Sequence, residues 1–145
     1  RYPDLWGKIM ALSLQMQSDT GVLPPRDRQL AILRTGWLLQ APYEWGEHVR
    51  QSKRFGLTSP EIERVMVGSA APEWNAHERA LMKAAEELRS DVMVSDATWD
   101  QLSLRLNDGQ LFELLALIGQ FTSIAYIQNS LRLRLEPGNA GLSAR

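Results

Sequence analysis

Apolar residues recur at close to helical spacing along almost the whole chain, and no stretch alternates long enough to make an amphipathic strand. That periodicity confines the fold to helices packed on helices. The punctuation agrees with it. Leu5, Ile9, Leu12 and Met16 share one face of a first helix from about Pro3 to Ser18. After Pro24-Pro25, a second helix carries Leu30, Leu33 and Trp37 on one stripe as far as Gln40. Ala41-Pro42 interrupts it, and a third helix runs from about Tyr43 to Phe55, with Gly56 placed as a left-handed terminator.

Thr58-Ser59-Pro60-Glu61 is a capping-box signature that opens a short helix to about Val67, and a loop follows from Gly68 to Trp74. Asn75 with Glu78, and Ser95 with Asp96, start two more helices. A long one follows Asn107-Asp108-Gly109, from Gln110 to about Leu133, until Glu136-Pro137-Gly138 stops it. The expectation is an all-α, single-domain bundle of about seven helices over residues 1–145, with 136–145 as a flexible tail. The last long helix is apolar around most of its circumference, which suits a central helix or one covered by a second copy of the chain.

Charge and cysteine content narrow the chemistry. Sixteen Lys plus Arg stand against seventeen Asp plus Glu, a formal charge of -1, so no overall field draws the chain to nucleic acid or an anionic membrane. With no cysteine, thiolate nucleophiles, disulfides and Cys-ligated metals are excluded. Two distant histidines are a weak ligand set, so no metal is expected; no glycine-rich phosphate loop suggests a nucleotide cofactor. No apolar run reads as a membrane span and no leader pattern is evident, which makes the cytoplasm the expected location.

The best chemical lead is Glu44 and His48, one helical turn apart on the third helix, where a carboxylate and an imidazole can share a proton. The same spacing also describes an ordinary solvated ion pair. Glu47 points about 100° away from His48 on an ideal helix and reads as a surface or subunit-contact residue. Arg34 and Arg50 offer bidentate partners for a substrate carboxylate, although helical arginines are commonly solvated or paired. Tyr43 and Trp45 lie beside the pair in sequence and can wall an aromatic pocket, whereas Trp37 fits the core. Gln120, Tyr126 and Gln128 lie on the long helix, where Gln120 either caps a pocket or satisfies a buried backbone group. His77 is expected at the solvated surface.

The order of these motifs resembles the carboxymuconolactone decarboxylase family, which includes the alkylhydroperoxidase D-like proteins. The likeness is strongest from Pro24 to Val65, where the spacing from His48 to Gly56-Leu57-Thr58 is its most specific part. It continues through HERALMKAAEEL, SDATWDQL and QLFELLALIGQFTSIAYIQNSLRL. In the peroxidase branch two cysteines precede the histidine; aligned on His48, their positions hold Ala41 and Glu44. Neither forms a thiolate, so thiol peroxidase chemistry is excluded. The decarboxylase branch carries Glu at the second position, as here.

A family acid of the preceding helix aligns with Gln29, an amide that hydrogen-bonds but does not exchange a proton at neutral pH. The resemblance therefore implies a cofactor-free lyase or isomerase acting on a small organic acid, lactone or aromatic-derived compound. Catalysis would rest on His48 and Glu44, with Gln29 or an Arg holding a developing oxyanion. It also implies a homotrimer or homohexamer. The alternative is a non-catalytic, oligomeric small-molecule-binding member.

Overall fold

The computed structural model describes residues 3–145. Seven α-helices follow one another: α1 (Pro3–Gln17), α2 (Pro25–Leu38), α3 (Pro42–Arg54), α4 (Ser59–Val67), α5 (Ala76–Asp91), α6 (Asp96–Ser103) and α7 (Asp108–Ser130). Single 3₁₀ turns lie at Gly68–Ala70, within the segment expected to be loop, and at Gly141–Ser143. Among the described residues there is no β-strand.

The helix starts are set by local chemistry. Thr58 accepts from the Glu61 N–H, and the Glu61 carboxylate accepts from the Thr58 N–H at 2.9 Å. Asn107 and Gln110 form the same reciprocal pair at the start of α7. Asn75 and Ser95 cap α5 and α6 through single bonds to the third residue onward. Helices α2 and α3 instead begin with proline in the first turn, where its missing N–H leaves nothing unsatisfied. Gly56 ends α3 at φ 88°, the left-handed conformation expected of it.

The centre of the bundle is α2, whose residues from Asp27 to Gly36 are all buried. It packs against α3, α4, α5 and α7, so it has no solvent face and a single apolar stripe does not describe it. Leu30, Ala31, Ile32 and Leu33 fill the contacts with successive neighbours, each at most 2% exposed. Asp27, Gln29 and Arg34 are buried alongside them and find partners on other elements.

Helix α7 is less central than its composition suggests. Leu111, Leu114, Leu117, Ile118, Phe121 and Ile124 face inward, whereas Phe112 and Tyr126 are exposed. By length and composition it meets the requirement for crossing a membrane, with mean hydropathy 1.3 over its most apolar window, contrary to the expectation that no segment would. In this fold its inner face packs on α2 as a core helix does. It stops at Ser130, a few residues earlier than its pattern predicts, and Arg132 takes φ 53° as the chain turns away.

The final segment is also not a loose tail. Its 3₁₀ turn packs on α3, and the Trp45 indole N–H donates to the Ala144 carbonyl at 3.1 Å. Asn139 donates to the Tyr43 carbonyl at 3.1 Å and accepts from the Gly141 N–H at 2.8 Å. Gly46 makes this approach possible, because a Cβ there would lie 1.7 Å from Asn139 Oδ1. These contacts join residues about a hundred positions apart, which explains why local composition misses them.

Candidate functional site

Helix α3 begins beside α2 and presents Glu44 and His48 on its buried side. His48 Nε2 lies 3.4 Å from Glu44 Oε2, an ion pair when the imidazole is protonated. On the other side of the ring, Nδ1 lies 3.4 Å from Gln29 Oε1 of α2. The edge-to-face ring of Phe121 from α7, with centroids 5.0 Å apart, fixes the third direction. Gln29, Glu44 and His48 are all buried, and the imidazole lies within 3.4 Å of each of the other two.

With Gln29 Oε1 accepting, the hydrogen sits on Nδ1 and Nε2 is left free to exchange a proton. Both distances are longer than a tight hydrogen bond, as acid–base groups often are before a substrate arrives.

Glu44 and His48 form one wall of a cleft of about 350 Å³ bounded by α1, α3, α7 and the segment after α7. Trp6, Met10, Phe121, Ile124 and Leu133 supply its apolar surface. Gln29 does not line the cleft; it stands behind the ring and holds it. It therefore positions His48 and does not reach an oxyanion formed on a substrate.

Tyr43 does line the cleft, and its hydroxyl donates to Glu136 Oε1 at 2.9 Å. That bond, with some burial and the nearby carboxylates, pushes the phenol up to about 12. Glu47, expected at the surface, sits half-buried at the cleft's edge, where Arg50 holds it at 2.5 Å.

Three expected substrate contacts are made elsewhere. Arg34 is directed away from the cleft: its guanidinium donates to the Val65 and Met66 carbonyls, each at 3.0 Å, and lies 3.4 Å from Glu86. It thereby satisfies orphan carbonyls at the end of α4, a structural task that sequence spacing hides. The guanidinium lies so close to Gly68, at φ 83°, that a Cβ there would approach it to 2.3 Å. Trp45 is fully buried and tied to the chain's final segment, so it is core. Arg50 turns outward onto Glu47 and does not line the cleft.

Other corrections concern polar groups within the fold. His77 is buried, not solvated, and lies 2.7 Å from Asp27 Oδ2. Of the two readings open for Gln120, the second holds: it donates to the Ile9 carbonyl at 3.2 Å and so secures α1. The cleft also gathers Ser13, Gln51 and Arg134, which no local pattern in the sequence marks. Gln128, which also lines it, is visible beforehand as a polar residue near the end of a greasy helix.

A larger groove of about 480 Å³ lies between α2, α5 and α7, but it holds no carboxylate–imidazole pair. We place the candidate site in the smaller cleft because the titratable groups are there. No group of three or more His, Cys, Asp or Glu suited to a metal occurs among the described residues.

The sequence profile of the carboxymuconolactone decarboxylase family matches residues 3–87. No protein of curated function matches the chain. Among solved structures, a protein of unknown function from Agrobacterium tumefaciens, suggested to be an antioxidant defence protein AhpD, is 22% identical with TM-score 0.82, over 92% of each chain. An uncharacterized peroxidase-related protein from Ralstonia eutropha, with an alkylhydroperoxidase AhpD core, is 16% identical with TM-score 0.81, covering 96% of this chain and 77% of its own. A peroxidase-related protein from a Silicibacter species is 12% identical with TM-score 0.80, covering 92% and 71%. At these identities the likeness concerns the fold.

Proposed function

Because this chain belongs to the carboxymuconolactone decarboxylase family, we propose that it is a cofactor-independent lyase or isomerase that moves a proton with His48. The carrying observation is the imidazole held between Glu44 and Gln29 at 3.4 Å on each side, on the wall of a largely apolar cleft. In the isomerase form, His48 Nε2 takes a proton from carbon next to a carbonyl. The C–H electron pair becomes a C=C bond, and the carbonyl oxygen takes the negative charge. Return of the proton at a different carbon completes the shift. In the lyase form, CO₂ leaves with its C–C electron pair staying on carbon, and the imidazolium supplies the proton that quenches it.

Glu44 is the countercharge for the imidazolium in either form, and Gln29 keeps the ring's hydrogen on Nδ1. The Gln17 and Gln51 amides line the cleft and offer N–H donors to the oxygen that gains charge. The substrate class is a small organic acid, lactone or aromatic-derived compound. We place the protein in the cytoplasm, and the exposed Phe112 and Tyr126 on α7 support its assembly as a homotrimer or homohexamer.

The test is incubation with a panel of lactones and β-keto acids in D₂O, followed by NMR. The expected result is deuterium incorporation or CO₂ loss that His48→Ala abolishes. Unchanged turnover of every accepted compound by His48→Ala would end the proposal. A second reading, a non-catalytic small-molecule binder, is favoured by one observation: an amide, Gln29, stands where the family acid is expected. Binding without any deuterium incorporation would support that reading.

A further inference from the structure

The wall of the cleft opposite His48 contains two buried polar groups that the proton-transfer reading does not use. Ser13 of α1 is 4% exposed and Gln128 of α7 is 6% exposed; both line the cleft. Neither Ser13 Oγ nor Gln128 Oε1 has a hydrogen-bond partner among the described residues. A buried polar atom left unpaired carries the cost of its lost water, so two of them on residues that line one cleft are held against a standing penalty. The terminal torsion of glutamine is broad, and a small rotation turns the Gln128 amide into the cavity.

The charges around them are unevenly placed. Glu44 is the carboxylate of the buried end, and His48 at most cancels it. Glu47 is held by Arg50, and Glu136 takes the Tyr43 hydroxyl. Arg134 is the cation of the lining, and it is exposed at the mouth. The buried end thus has two uncharged groups, each able to donate and accept, and no cation in surplus. A carboxylate entering there loses its water and meets Glu44 without compensation.

We infer that the inner end of the cleft recognises an uncharged polar group, a hydroxyl, amide or lactone carbonyl, through Gln128 and Ser13, and discriminates against a carboxylate. The inference rests on the cleft being the reactive site, and it names the substrate class. Isomerisation of a neutral carbonyl compound suits such an end better than decarboxylation of a small acid. An acidic group on the substrate is accommodated only toward Arg134.

Benzamide and benzoate make the test, since they share one shape and differ in charge at pH 7. Each is titrated into the whole chain while the histidine ring signals are followed by NMR, with His77, which does not line the cleft, as internal reference. Benzamide moves the His48 signals at a concentration at least ten-fold lower than benzoate does, and His77 stays still. Gln128→Met brings the two within about three-fold, and Ser13→Ala narrows the gap less. Gln128→Glu, nearly isosteric, widens it and shows that the position tolerates substitution.

Benzoate equalling or surpassing benzamide, or neither probe moving His48, overturns the inference. If the preference holds while His48→Ala leaves turnover intact, the proton-transfer reading alone falls. If turnover needs His48 and benzoate binds better, this inference alone falls.

Discussion

The chain has two histidines, both buried and both beside a carboxylate, and the contrast between them separates the imidazole proposed to move a proton from one that serves the fold. His77 lies 2.7 Å from Asp27, a tight bond between the first turns of α5 and α2. Neither residue lines the cleft or the larger groove. His48 lies 3.4 Å from each of its partners and faces a cavity. A carboxylate near an imidazole therefore says little about role. Slack in the pair, access for a third molecule and unused polar groups across the gap are what distinguish the site.

Turnover should break the comparison most widely. His48→Ala is expected to lower kcat by about 10²–10⁴-fold, the usual worth of a positioned acid–base group. His77→Ala leaves turnover per folded molecule within about two-fold, checked by normalising rates to the folded fraction. Stability should reverse the order. His77→Ala strands the Asp27 carboxylate and costs about 2–3 kcal/mol in urea unfolding, against about 1 kcal/mol for His48→Ala. Equal losses would mean that the two pairs do the same structural work.

Gln29 sharpens the comparison further. Gln29→Leu removes the acceptor at Nδ1, so kcat should fall about ten-fold with KM nearly unchanged, and the pH–rate profile should shift. Gln29→Glu restores an acceptor and recovers the rate; failure to recover would show that Gln29 contributes by packing alone.

The smallest expected effect concerns Tyr43. In the fold its phenol is held up at about 12, above the unfolded value near 10, so the bond to Glu136 contributes fully below pH 10 and is lost as pH rises toward 12. Tyr43→Phe should cost at most about 1 kcal/mol at pH 8 and show a flatter decline in Tm between pH 10 and 12.

How much of this the sequence discloses depends on distance along the chain. Thr58, Asn75 and Ser95 start the helices they are expected to start, because each bonds to a residue three positions on; Asn107, read as part of a break, caps α7 in the same way. Glu44 and His48 are legible for the same reason, as neighbours on one helix turn. What escapes is polar and remote. Asp27 finds His77 fifty positions later, and Trp45 finds Ala144 ninety-nine positions later.

The central place of helix α2 escapes for a related reason. Its buried charges and amides weaken the apolar stripe that periodicity detects, yet Asp27, Gln29 and Arg34 each meet a group from elsewhere. Helix α7, rich in leucine, suggests a centre that α2 occupies instead. Arg34 and Arg50 show the converse: an arginine near a candidate site is no guide to where its guanidinium ends up.

The polar residues along α2 also act like the notches of a key. A helix coated only in leucine can turn a few degrees about its axis, or slide, and still find greasy neighbours. This one cannot, since turning it unseats Asp27 from His77, Gln29 from His48 and Arg34 from the carbonyls of α4 together. The angular setting that the bundle needs for its own integrity is thus the setting that aims the imidazole, and His48 inherits its alignment from the scaffold without a separate brace.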